Sequence, residues 1–210
     1  MKNYITTLPS RKAAMLVGMA FISSVFLVTI VDDFLLANFV VPGDIQALAN
    51  DIKANRKFFA FAVIGYLIVL ALDSIIAVAL YVVLKPASKY LATLTAWLRL
   101  LYALVLVVGV LALALQMVDV DNYASIKLVG YVFFALHIFL LGYTAFKSGY
   151  MPKVLGLLLM LTAFTYTVFF IDFNLSASLM VSIMLIMALA ELSLSIWLMV
   201  KRKSLPENNG

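Results

Sequence analysis

Residues 58–84 read FFAFAVIGYLIVLALDSIIAVALYVVL, and Asp73 is the one charged residue among them. A helix rises about 1.5 Å per residue, so roughly 20 apolar residues cross the roughly 30 Å hydrocarbon core of a bilayer. This run is long enough to span. It is too long and too evenly apolar for a strand, and it lacks the alternation of an outer-membrane barrel.

Five further runs of the same kind flank it, at residues 13–40, 91–117, 126–146, 154–171 and 176–200. The expected fold is all-α: a polytopic membrane protein, a six-transmembrane-helix bundle. Composition supports this reading. The chain of 210 residues is 66% hydrophobic and only 12% charged, whereas soluble domains are about half apolar and a quarter charged. No polar linker divides the runs, so residues 1–210 are expected to form one membrane domain. The run 13–31 exceeds a signal-peptide core and precedes no A-x-A-like site, so it is read as the first span.

Loop charges predict the orientation. Arg11 and Lys12, Lys85 and Lys89, Lys147 and Lys153, and Lys201, Arg202 and Lys203 all fall at one side. Asp32, Asp33, Asp44, Asp51, Asp119, Asp121 and Asp172 fall at the other, with Lys53, Arg56, Lys57 and Lys127 among them. Basic segments stay in the cytoplasm, which puts both termini there. The net charge of +5 is read as this orientation signal, not as a nucleic-acid surface. The bilayer is the expected partner, and an oligomer is compatible with the sequence.

The first outer loop carries its own pattern. Val41-Pro42-Gly43-Asp44 reads as a turn with Asp44 as helix N-cap, and Ile45, Leu48 and Ile52 recur at helical spacing. A short amphipathic helix on the membrane surface is expected there. The prolines at 9, 42, 86, 152 and 206 avoid span interiors, so the spans are expected to be continuous.

Four ionisable residues lie inside the spans: Asp73, Arg99, His137 and Glu191. Counting to the basic residue ending each span, Asp73 is 12 residues from Lys85. Arg99 is 10 from Lys89, His137 is 10 from Lys147, and Glu191 is 10 from Lys201. All four therefore sit about 15–18 Å from the basic ring, near the midplane. Each such charge costs about 2.5–3.5 kcal/mol on insertion scales, and convergence lets opposite signs offset one another. The supporting pattern is Thr95, Arg99 and Tyr102 on one face, Tyr66 and Asp73 near one stripe, and Ser195 one turn from Glu191, with Tyr166 at the same depth. A ligand-binding or proton-handling pocket is expected. In it Arg99 would clamp an anionic or carbonyl group, and His137 with a carboxylate would move protons. The bland alternative is an ion-pair network that only fixes helix register.

Other chemistries find little footing. Cysteine is absent, which removes disulfides, thiolate metal sites and a cysteine nucleophile. One histidine beside an arginine is a poor zinc site and cannot supply bis-His haem ligation, so no metal or cofactor is expected. No phosphate loop, dinucleotide fingerprint or nucleophile elbow occurs. The ten methionines are read as core filling.

Several stretches carry a family resemblance: Val41-Pro42-Gly43-Asp44, Ala79-Leu80-Tyr81-Val82-Val83-Leu84-Lys85-Pro86, and Trp97-Leu98-Arg99-Leu100. The most specific is Phe133-Phe134-Ala135-Leu136-His137 through Gly142-Tyr143, then Lys147-Ser148-Gly149-Tyr150-Met151-Pro152-Lys153. Glu191-Leu192 opens the closing segment. Over about residues 11–203 the chain resembles the bacterial membrane proteins of domain-of-unknown-function family 4386. The resemblance implies a polytopic protein of the bacterial inner membrane. It implies no activity, though its motifs include the positions of Arg99, His137 and Glu191.

Three function classes follow. A binding or transport protein for a small amphiphile or lipid needs a cavity at Arg99 open to lipid or to one face. An intramembrane acid–base enzyme on a lipid-like substrate needs a water-reachable His137 with a carboxylate beside it. A structural or accessory subunit needs a closed, fully paired network.

Overall fold

A computed structural model describes residues 8–31, 45–118, 120–166 and 176–207. The described residues form seven α-helices: α1 (Ser10–Thr29), α2 (Ile45–Ala54), α3 (Arg56–Leu84), α4 (Lys89–Ala114), α5 (Val120–Lys147), α6 (Lys153–Thr165) and α7 (Ala177–Lys201). A 3-10 turn over Arg202–Ser204 follows. Five of them, α1, α3, α4, α5 and α7, are long and apolar enough to cross a membrane, and α6 is a shorter apolar helix. The protein is therefore all-α and polytopic.

Two helix ends differ notably from expectation. The third span stops at Ala114 rather than 117, because Gln116 takes a left-handed backbone, with φ of 57°. The fourth helix begins at Val120, a turn and a half before the apolar run, with Asp121 in its first turn, where the helix dipole favours an acid. The first and fifth helices are described to Thr29 and Thr165. Residues 32–40 and 167–171 of those expected spans lie outside the described residues. So do the 41–44 turn and its proposed cap Asp44, although the helix expected after it is present as α2.

Local chemistry sets the other boundaries. Pro9 precedes α1 and Pro152 precedes α6, where a missing N–H costs no helical bond. The chain leaves α3 before Pro86 and re-enters helix at Ser88, whose Oγ accepts from the Leu91 N–H at 3.3 Å. Ser176 does the same for α7, accepting from the Leu179 N–H at 3.4 Å.

The α5–α6 connection is a compact turn. Gly149 sits at φ of 72° with open space around it, Ser148 Oγ donates to the Ala145 carbonyl, and the Met151 N–H donates to Ser148 Oγ. Tyr150 reaches from this turn to α3, donating its hydroxyl to the Val83 carbonyl at 2.7 Å. Burial pushes that phenol above the usual tyrosine range, so it stays a proton donor. Tyr150→Phe is expected to cost about 1 kcal/mol, read as a small fall in thermal midpoint in detergent with an unchanged helical spectrum.

The packed helix pairs are α1 with α3, α3 with α4, α4 with α5, α5 with α6, α6 with α7, and α7 with α1; α2 rests on α3. The six longer segments thus close into a ring. We call basal the end where α1 begins and α7 finishes. There Arg11 pairs with Glu207 at 3.0 Å, and Gly18 of α1 faces Met199 and the Ser195 carbonyl of α7.

Two apolar clusters fill the ring. The basal one joins Ala13, Val17, Leu80, Leu84, Ala145 and Leu198. The distal one joins Val31, Phe59, Leu70, Leu106, Val110 and Tyr123. Along α3 they meet between Leu70 and Ile76, and along α4 between Ala92 and Ala103. Asp73 and Arg99 stand in those two gaps. The outer surface stays apolar, with Phe26, Phe61 and Leu104 all more than half exposed, as lipid contact requires.

Candidate functional site

Asp73, Arg99 and His137 are buried, at 4%, 2% and 0% exposure. Their helices α3, α4 and α5 are consecutive members of the ring, so equal depth brings the side chains together. Arg99 donates to Asp73 Oδ1 twice, from Nε at 3.1 Å and from Nη2 at 2.5 Å. Its Nη1 lies 3.2 Å from His137 Nε2 and 4.0 Å from Glu191 Oε2 on α7. The guanidinium carbon stands 5.2 Å from the centre of the Phe134 ring, a cation–π distance.

Partner chemistry assigns the histidine. His137 Nδ1 is 2.8 Å from the Thr95 carbonyl, which only accepts, so Nδ1 carries the proton. Arg99 only donates, so Nε2 accepts. His137 is thus the neutral Nδ1–H tautomer with both ring nitrogens engaged. Thr95 supports it through its backbone; its own Oγ1 is buried with no hydrogen-bond partner among the described residues.

The sequence assigned Arg99 to an incoming anion and His137 to proton transfer. The structure shows both residues already engaged by neighbours. All three guanidinium nitrogens already face Asp73, His137 or Glu191. His137 is covered, and the group at its Nε2 is a cation rather than a carboxylate.

A cavity of about 270 Å³ opens beside the network. Asp73, Arg99 and Glu191 are in its wall, with Tyr102 and Tyr166. His137 lies behind Arg99 and does not line it. Ser195 instead borders a void of about 10 Å³ shared with Arg99 and Glu191, room for about one water molecule at most. Tyr66 packs in the distal apolar cluster, away from the cavity lining. The remaining walls come from α1, at Phe21, Ser24 and Thr29, and from α7, at Met184 and Met187.

Sequence reasoning passed over two of its aromatic residues, Tyr131 and Phe134 of α5. They stand six and three positions before His137, one helical step of three apart, and that spacing was the available signal. Phe134 is the hub: its ring lies 4.6 Å from Tyr102 and 5.4 Å from Tyr166, and Tyr131 lies 6.2 Å from Tyr166.

A family model described as "Domain of unknown function (DUF4386)" matches residues 16–201. The chain belongs to this family. The DUF4386 match spans Asp73, Arg99, His137 and Glu191 and every residue that lines the cavity. An uncharacterized protein of Archaeoglobus fulgidus is similar to this DUF4386 chain, 34% identical over 163 residues, covering 77% of this chain and 96% of its own length. That relative is archaeal, so DUF4386 membership by itself does not place the chain in a bacterial inner membrane. No solved structure matches.

Proposed function

We propose that this DUF4386 chain is a single-domain, six-span protein of the bacterial inner membrane, with both termini cytoplasmic, whose midplane cavity binds or carries a small amphiphile or lipid. The cavity beside Arg99 carries the reading. It has room for a small organic group, apolar and aromatic walls, and a few convergent polar groups, the usual makeup of a ligand site. Among the described residues it reaches the outer surface between α1 and α7, where Thr29 is exposed and Met184 is 52% exposed. That mouth faces where lipid would lie. Five long apolar helices and α6 supply the six spans, and the basic residues at their basal ends support the orientation.

The enzyme reading needed a water-reachable histidine beside a carboxylate, and His137 is neither. A register-fixing network is favoured by one observation, the hydrogen bonds that already tie Arg99 to Asp73 and to His137. Native mass spectrometry on protein released directly from membranes separates the two readings, comparing wild type with Ala188→Phe. Ala188 lines the cavity on α7 and is outside the ion-pair network. A small molecule or lipid should be retained by wild type and lost when phenylalanine fills the cavity. Equal spectra from two folded proteins would leave the network as the whole role of the four residues.

A further inference from the structure

The cavity wall carries more acidic than basic groups. Two carboxylates and one guanidinium line it, and His137 is neutral by its hydrogen bonds. Asp73 takes two of the guanidinium nitrogens at 3.1 and 2.5 Å, whereas Glu191 reaches only Nη1, at 4.0 Å. Arg99 is therefore largely matched by Asp73, and Glu191 is the under-compensated group, with its side chain 11% exposed. A carboxylate in such surroundings either holds a proton or gains a positive partner, and a cation that enters can take the proton's place.

The rest of the wall suits the same sign. Tyr102, Tyr131, Phe134 and Tyr166 form one continuous aromatic surface, each ring within 4.6 to 6.2 Å of its neighbour. Aromatic faces attract cations, and several of them around a pocket recognise quaternary ammonium groups. Arg99 already uses the Phe134 face in this way at 5.2 Å. The methionine side chains that complete the wall are soft and apolar. Arg99, the one cation among the described lining residues, already turns its three nitrogens to Asp73, His137 or Glu191.

We propose that the ligand is a small amphiphilic organic cation, an ammonium group held between Glu191 and the aromatic wall with its apolar part toward the α1–α7 mouth. This rests on the cavity being a ligand site and specifies what that site takes. It reverses the sign of ligand that Arg99 alone suggests.

The test uses the full chain in phosphatidylcholine nanodiscs, whose zwitterionic lipid adds no net charge. Three probes of similar size are measured by equilibrium binding, with empty nanodiscs subtracted: benzyltrimethylammonium, its uncharged carbon isostere neopentylbenzene, and benzenesulfonate. Saturable binding of the ammonium is expected, with the other two at background. Glu191→Gln should weaken ammonium binding at least about tenfold, the scale of a desolvated charge contact. Ala188→Phe should weaken it as much by occupying the space, and it decides the matter if Glu191→Gln does not fold. Saturable binding of the neutral or anionic probe as tightly as the ammonium would overturn the cation proposal and leave the cavity a ligand site. Absence of binding by all three would overturn both. Ammonium binding unchanged in either folded variant would place the cation elsewhere and overturn the proposal.

Discussion

Arg99→Met is expected to destabilise the protein by about 3–5 kcal/mol, the usual cost of removing one partner of a buried ion pair. The guanidinium is the common partner of three groups: it donates to Asp73 and to His137 Nε2, and it lies 4.0 Å from Glu191. Methionine matches its volume roughly and supplies none of its donors. Two carboxylates are then left at the midplane with no positive partner, and His137 loses its donor. Asp73→Asn should cost clearly less. An amide oxygen still accepts from Arg99, and Glu191 remains to balance the charge. The double variant Asp73→Leu/Arg99→Met should be more stable than Arg99→Met alone, because it removes one of the stranded carboxylates. Reversible unfolding in mixed micelles measures the set, and a double-mutant cycle extracts the coupling. An Arg99→Met protein as stable as wild type would show that the network contributes nothing to folding.

The second large effect concerns backbone contact between α5 and α6. A Cβ on Gly156 would stand 2.6 Å from the Phe146 nitrogen and 2.7 Å from the Gly142 carbonyl oxygen. A Cβ on Gly142 would stand 2.6 Å from the Gly156 carbonyl oxygen and 2.8 Å from the Met160 nitrogen. These are backbone atoms, so the helices must separate for any side chain to fit. Glycine-to-alanine normally favours a helix by about 1 kcal/mol. Here overpacking of about 1–3 kcal/mol opposes it, and Gly156→Val should exceed the alanine cost. Gly130 is the control. A Cβ there meets side chains alone, the end of Leu106 at 3.1 Å and the Tyr102 ring at an ordinary 3.5 Å, so Gly130→Ala should be close to neutral. Thermal midpoints of the three variants in one detergent decide this. The contact also bears on the site. It holds α6 against α5, and so Tyr166 against Phe134 and Tyr131; Gly156→Val should loosen the aromatic wall and weaken any ligand retained by wild type.

How much of this was legible beforehand follows from the range of each interaction. Membrane insertion depends on summed apolar area along one helix, a local quantity. The run 58–84 and its five companions therefore announced an all-α membrane protein directly. Depth is also local, because the rise per residue is fixed; the equal spacing of Asp73, Arg99, His137 and Glu191 from the basic residues placed them in one layer. What depth leaves open is angle around the ring and the pairing of donors with acceptors. Those depend on which helices become neighbours and on rotamers chosen by packing. Only the folded structure turned Arg99 toward Asp73 and His137, so that the residue expected to greet a ligand is already engaged by its neighbours. Only the fold set His137 behind Arg99, moved Tyr66 into the distal cluster, and recruited Tyr131 and Phe134, two aromatic residues that look like ordinary span filling. The glycine contact escaped for the same reason: Gly142 and Gly156 are unremarkable within their own helices, and their role exists only where two backbones meet. Sequence by itself determined the membrane, the helices and the depth of the charges; tertiary structure decided which charges are satisfied, because satisfaction is a property of neighbours in space.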